Sequence, residues 1–174
     1  DAFVRLAQLK LLDIVPQRKT TVSRIQTEQL DDSCFMCQAV ECAIIKQACK
    51  KFPKTHLKRL ENNLVREQQA IAKSDNTTLF KLDEVLHKTI FDGCHRSRIW
   101  DYLTKTDLNY LRARVLVTMS RVNQMEIVLD QHRQIVEAIK KQDEEAALHV
   151  MGPHVVRVLP LLKGLKEFYP TYFA

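Results

Sequence analysis

Four side chains stand out as able to do chemistry together: Asp83, His87, His132 and His154. Read at 100° per residue, Thr77 to Phe91 forms a helix with Leu79, Leu82, Leu86 and Ile90 in one apolar stripe. Asp83 and His87 lie inside that stripe at i and i+4, with Phe80 and Phe91 flanking it, while Lys81, Glu84, Lys88 and Asp92 occupy the opposite, solvated face. On a helix over 126–141, His132 is centred among Val128, Leu129, Ile135, Val136 and Ile139. On the last helix His154 is centred among Ala147, Val150, Met151, Val158, Leu161 and Leu165. His149 points to the polar side, and His56 and His95 fall at helix ends.

A carboxylate and three imidazoles aimed into one core must find partners, because unpaired buried polar groups are costly. They can hydrogen-bond one another as a structural cluster, or a divalent cation can satisfy all four at once, and the pattern favours the cation. Zinc is first among the candidates, with nickel, manganese and iron also compatible. A six-coordinate ion held by these four has two open positions, which a small carboxylate could take. Arg114, Thr118 and Arg121 line one edge of their helix at i, i+4 and i+7 and could bind the rest of such an anion. Arginines snorkelling from the bundle edge would give the same pattern.

The same ligands could serve a helical-bundle metalloenzyme, a hydrolase or lyase, by activating water. That reading needs an acid or base inside the core. Glu84 points away from the apolar face, and Glu41 and Glu126 are only loose candidates, so catalysis is disfavoured.

The elements that must position these groups are helical. The 174 residues can bury one sizeable core. Three glycines and five prolines argue against an all-β fold. No apolar run is long enough to span a membrane and no signal peptide opens the chain, so a cytoplasmic protein is expected. Five cysteines, Cys34, Cys37, Cys42, Cys49 and Cys94, are an odd number, four within one helix, which suits buried inert thiols in a reducing compartment. The net charge of +6 is uneven: Arg5, Lys10, Arg18, Lys19 and Arg24 face only Asp1 and Asp13 within residues 1–25. Such a local excess suits an anionic partner.

In order, residues 1–12 read as the end of an amphipathic helix, and 14–25 as strand, basic turn, strand, together the tail of a winged helix-turn-helix domain. A linker follows over 26–32. From Ser33 all is helix: 33–52, then a helix opened by Pro53 and running to Ala72, then the Thr77–Phe91 helix capped by Asp75 or Asn76 and ended by Gly93. A short helix with Ile99, Trp100 and Leu103 precedes one capped by Thr106 or Asp107 that groups Leu108, Leu111, Val115 and Val122. After the 126–141 helix, Asp143 caps a long final helix that Pro153 and Pro160 should kink. The expectation is an all-α antiparallel bundle of six to seven helices over 27–174, preceded by the winged-helix remnant at 1–26.

The chain resembles the GntR family of bacterial transcription regulators, specifically FadR-type members with an FCD effector-binding domain. The matching stretches are LDEVLH (Leu82–His87), DGCHRSRIW (Asp92–Trp100), QHRQIVEAIKKQDEEAA (Gln131–Ala147) and MGPH (Met151–His154). FVRLAQLKLLDIVPQRKTTVSRI resembles the end of the family's recognition helix and its wing. The resemblance implies a metal motif of D-x-x-x-H, a second histidine 40–45 residues on and a third about 20 further. Asp83, His87, His132 and His154 match it in all four positions. It further implies a homodimer that binds a DNA operator through the full winged helix, with Arg5, Arg18 and Lys19 as DNA-contacting residues of this piece. The expected effector is a small organic acid that modulates operator binding. The first two helices of the winged domain are missing from this piece, so the expectation is either a fragment or an N-terminal part that was not seen.

Overall fold

The computed structural model describes residues 2–106, 108–120 and 125–174. A short helix α1 (Ala2–Gln8) leads into a two-stranded antiparallel ribbon, β1 (Leu12–Val15) and β2 (Lys19–Val22). The ribbon pairs Leu12 with Val22 and Val15 with Lys19. Its tight turn closes through the amide of Arg18 on the carbonyl of Val15 at 3.1 Å, with Gln17 in the left-handed region at φ 57°. Neither α1 nor the ribbon buries a residue. Arg5, Arg18 and Lys19 are all solvent-exposed on this small unit.

The rest is an all-α bundle: α2 (Thr27–Lys50), α3 (Lys54–Ala72), α4 (Asn76–Gly93), α5 (Ser97–Thr106), α6 (Leu108–Met119), α7 (Met125–Lys141), α8 (Glu144–Val155) and α9 (Val158–Phe168), with a final 3₁₀ turn at Pro170–Tyr172. The segment 26–32, expected as a linker, is instead helical from Thr27: Leu30 is fully buried and extends the apolar stripe of α2 by one turn. The expected single last helix is two. Pro160 cannot donate to the carbonyl of Val156 and its ring crowds that carbonyl, so the chain breaks at 156–157. Pro153 is carried inside α8.

Capping follows local chemistry. The Asp75 carboxylate accepts from the amide of Thr78 at 3.0 Å, and that of Asp143 from the amide of Ala146 at 2.9 Å. Gly93 is the last residue of α4, yet the left-handed position after it is His95, at φ 59°. Gly93 is required for another reason: a Cβ there would run into the Phe52 ring.

Helix α2 lies along α8, α3 packs on α4 and α7, and α7 packs on α8. The core runs from Ile25 and Leu30 through Ile45, Leu60, Leu86, Ile90 and Phe91 to Ile135, Met151 and Leu165. Helix α6 buries Tyr110, Ala113, Val117 and Thr118 rather than the expected Leu108, Leu111 and Val115, which are half-exposed. This helix is apolar on both sides, so spacing alone could not choose its inward face. Val122 and Asp107 lie outside the described residues.

Candidate metal centre

Helices α4, α7 and α8 bring Asp83, His87, His132 and His154 together, each offering a ligand atom within 4.8 Å of the others, all four buried. The His154 Nε2 is 3.1 Å from His87 Nε2 and 3.2 Å from His132 Nε2. His132 Nε2 is 3.5 Å from Asp83 Oδ1.

The outer nitrogens explain why the inner ones converge. His87 Nδ1 meets Glu41 Oε2 at 2.5 Å, His132 Nδ1 meets Glu67 Oε2 at 2.8 Å, and His154 Nδ1 meets Gln131 Oε1 at 2.9 Å. Each of these oxygens accepts, so each Nδ1 carries a hydrogen and each Nε2 turns inward, with a lone pair whenever its imidazole is neutral. Three lone pairs facing one another at such distances repel unless a proton or a cation lies among them. Oriented imidazoles backed by carboxylates are the arrangement metal-ligating histidines adopt. Asp83 Oδ1 is buried and makes no hydrogen bond, an orphan acceptor beside those nitrogens. This donor set fits a divalent cation.

Electrostatics point the same way. Burial disfavours ionised Asp83, but Arg114, then His132, Arg157 and His87, hold its carboxyl well below the usual range. His132 is fully buried, which alone would lower its pKa, yet Asp83 and Glu67 push it up to about 9. His154 goes the other way, well below its ordinary value, through burial and then its neighbours His132 and His87. The pair of carboxylates thus makes the centre a sink for one positive charge.

Arg114 sits beside this centre with its charge already engaged. Its Nη2 donates to Asp83 Oδ2 at 2.5 Å, lies 2.6 Å from Glu84 Oε1, and its guanidinium stands 5.6 Å from the ring centres of both Phe80 and Tyr110. Glu84, expected on the solvated face, is therefore turned onto Arg114 with its side chain 24% exposed. Thr118 is buried and donates to the carbonyl of Arg114 at 3.0 Å. Arg121 lies outside the described residues.

Three contributors escaped the spacing argument, and Glu41 was no more than a loose candidate in it. Glu67 is completely buried, although no acidic residue was expected at the centre of an apolar face. It falls on the stripe of Leu60, Leu64 and Ile71, at i+7, i+3 and i−4 from them, and that was the available signal. Glu41 is buried as the His87 partner, whereas Glu126 is exposed. Gln131 and Arg157 complete the surround; Arg157 lies three residues after His154, in the break between α8 and α9. The Trp100 ring lies parallel to His87, centroids 6.2 Å apart and planes 6° off parallel. Of the cysteines, Cys34, Cys37, Cys49 and Cys94 are buried and Cys42 half-buried, and no disulfide forms among the described residues.

Among the described residues no helix is long and apolar enough to cross a membrane. The FCD domain family matches residues 32–157. Over all 174 residues the chain is 26% identical to the HTH-type transcriptional repressor RspR of Escherichia coli K12, covering 76% of that protein. It is also 26% identical to an HTH-type transcriptional regulator from an unstable DNA locus of Streptomyces ambofaciens, covering 72% of it. In fold it is similar to E. coli McbR/YncC, with a TM-score of 0.75 at 19% identity over 94% of this chain and 82% of that one. Streptococcus agalactiae GntR is similar too, with a TM-score of 0.62 at 17% identity over 91% and 79% of the two chains. A helical bundle of this order, joined to a basic ribbon and matched along its length by regulators rather than enzymes, belongs to the FCD-domain transcriptional regulators of the GntR family.

Proposed function

We propose that this chain is the sensing part of a ligand-responsive regulator, in which Asp83, His87, His132 and His154 hold one divalent cation, zinc before nickel, manganese or iron. The single observation that carries this reading is the convergence of three Nε2 atoms, each with its Nδ1 committed to an acceptor, beside the orphan Asp83 Oδ1. When bound, the ion supplies a positive centre with positions open to a carboxylate oxygen. The chain's own groups do the rest. Glu41, Glu67 and Gln131 fix the imidazole orientations, Arg114 clamps the second oxygen of Asp83, and the surrounding apolar side chains limit water.

The effector on this reading is a small organic acid. Its binding shifts α4, α6 and α7 in a cytoplasmic homodimer and so changes the spacing of two winged domains on a DNA operator. The α1–ribbon unit is the part nearest the DNA, with Arg5, Arg18 and Lys19 as phosphate-contacting candidates.

Elemental analysis of the purified chain beside His132→Ala tests the reading. Near one metal per wild-type chain, lost in the variant, is expected. A well-folded wild-type protein that takes up no metal on incubation with zinc would sink it and leave the polar cluster as structural.

A further inference from the structure

Three cavities border the centre, and they differ in size and in the charge of their walls. The first, of about 20 Å³, is lined by Glu41 and Trp100, the two neighbours of His87, and by Arg114. The second, of about 10 Å³, is lined by Asp83, His132 and Arg157. An arginine in the wall of each repels an approaching cation, and each has room for roughly one water. The third is an open groove of about 520 Å³ between α7 and α8, walled by Glu126, Asp130, Gln131, His149 and Pro153. Among the described residues no lysine or arginine lines it. Glu126 and Asp130 stand at i and i+4 on α7, both exposed, and the neutral Gln134 donates to Asp130 Oδ2 at 2.6 Å without cancelling its charge.

Gln131 belongs to both the groove and the centre. It lines the groove, while its Oε1 accepts from His154 Nδ1 at 2.9 Å. Of the three outer acceptors it holds its imidazole least firmly. Glu41 and Glu67 are carboxylates whose side chains are 10% and 0% exposed, whereas Gln131 is neutral and half-buried. A hydrogen bond to a neutral amide is about half as strong as one to a carboxylate. The backbone under His154 is also the least secured. His87 and His132 lie inside α4 and α7 with full turns on either side, but His154 is the last residue but one of α8. Pro153 before it carries no N–H, so that turn is one backbone bond short, and the break at 156–157 follows.

We propose that Gln131 and His154 form the gate through which a divalent cation reaches and leaves the centre by way of the α7–α8 groove. Glu126 and Asp130 concentrate cations at the groove mouth. Opening of the Gln131–His154 bond lets the imidazole turn aside, and Asp83 Oδ1, buried and unpartnered, is the acceptor at the inner end. The gate rests on the metal reading above and adds to it the route and the residue that controls it.

The test is stopped-flow zinc uptake and release, followed with a chromophoric chelator, for wild type, Gln131→Ala, Glu67→Gln and the double variant Glu126→Gln/Asp130→Asn. Zinc content and a thermal melt accompany each. Gln131→Ala speeds both release and uptake, uptake by about fivefold or more, as loss of one hydrogen bond from the closed state requires. Glu67→Gln speeds release alone, because a residue that only braces an imidazole leaves uptake unchanged. The double variant takes up zinc about fivefold more slowly at low salt, and the difference closes as salt rises. Unchanged uptake in Gln131→Ala, or in the double variant at low salt, overturns the gate. Near one zinc per wild-type chain with either of those results removes the gate and leaves the metal reading; a wild type that takes up no zinc removes both. If Gln131→Ala does not melt cooperatively, the double variant, altered only at exposed positions, decides.

Discussion

Glu67 and His132 meet at 2.8 Å with neither side chain exposing any surface, and the carboxylate's other oxygen accepts from Asn63 Nδ2 at 2.6 Å. Asn63 Nδ2 also donates to the carbonyl of Leu82, one residue before Asp83, at 3.0 Å. Helix α3 thus braces His132 on α7 through Glu67 and the backbone beside Asp83 on α4 through Asn63. Glu67→Gln keeps the shape and removes the charge, and is expected to weaken zinc binding by about 10- to 100-fold in a competition titration with a chelator. Glu67→Ala, which strips a buried ionic partner, is expected to lower folding stability by roughly 3–5 kcal/mol in urea melts of the metal-free protein. Unchanged zinc affinity in both variants would show that the brace does not tune the site.

The opposed shifts of His132 and His154 give the metal-free protein a defined pH response. His132 is raised to about 9 in the fold, so its contribution is complete below the unfolded value near 6.5 and is lost as pH climbs toward 9. His154 is depressed, so its neutral form favours the fold at high pH and that contribution fades as pH drops below about 6.5. Metal-free stability should therefore decline from both sides of a maximum near neutrality. Zinc must displace the His132 proton, so its affinity should rise between pH 6.5 and 9 and binding at pH 7.5 should release a proton. Calorimetry in two buffers of different ionisation enthalpy measures that release; identical heats would contradict it.

Gly93 packs under Phe52, whose ring also meets His56 edge-on at 6.1 Å. Gly93→Ala should cost about 1–3 kcal/mol through overpacking, despite the better helix propensity of alanine. Adding Phe52→Leu should recover part of the loss. Thermal melts of the two variants decide; a stabilised Gly93→Ala would mean that Phe52 swings away freely.

The ribbon is tied to the bundle by α6. Arg112 donates to Ser23 Oγ at 3.2 Å and to the Ser23 carbonyl at 2.5 Å, while Asn109 exchanges bonds of 3.0 and 2.8 Å with the amide and carbonyl of Gln26. Two residues on from Arg112 is Arg114, the clamp on Asp83. Arg112→Ala and Asn109→Ala should each raise hydrogen exchange around 23–26 by about fivefold or more, while leaving α7 and α8 protected. Equal protection at 23–26 in both variants would assign the junction to the backbone bridge between Ile25 and Phe173 alone.

The convergence of Asp83, His87, His132 and His154 was legible in the sequence because it obeys helical spacing. Asp83 and His87 share a stripe, and His132 and His154 each sit at the centre of an apolar face, so burial followed from period 3.6. The N-caps Asp75 and Asp143 were equally local. Helix α6 was not legible, since apolar residues on both its sides left the inward face undetermined. Glu67 was hidden by its type: a charged residue on a stripe looks like an interruption until its partner is known.

The sequence by itself therefore determined the helical class, the N-caps of α4 and α8, and the inward direction of Asp83, His87, His132 and His154, because those depend on contacts within a few residues. Only the tertiary structure decided the pairing of distant groups. Glu41 joins His87 across 46 residues and Glu67 joins His132 across 65. Ile25 bridges to Phe173 and fastens the ribbon's end to the C-terminus. Arg114 and Arg157 look alike as lone arginines on helical faces. One is engaged by two carboxylates and the other keeps a buried nitrogen open, and that difference arises from packing α4 against α6 and the start of α9, which no local period encodes.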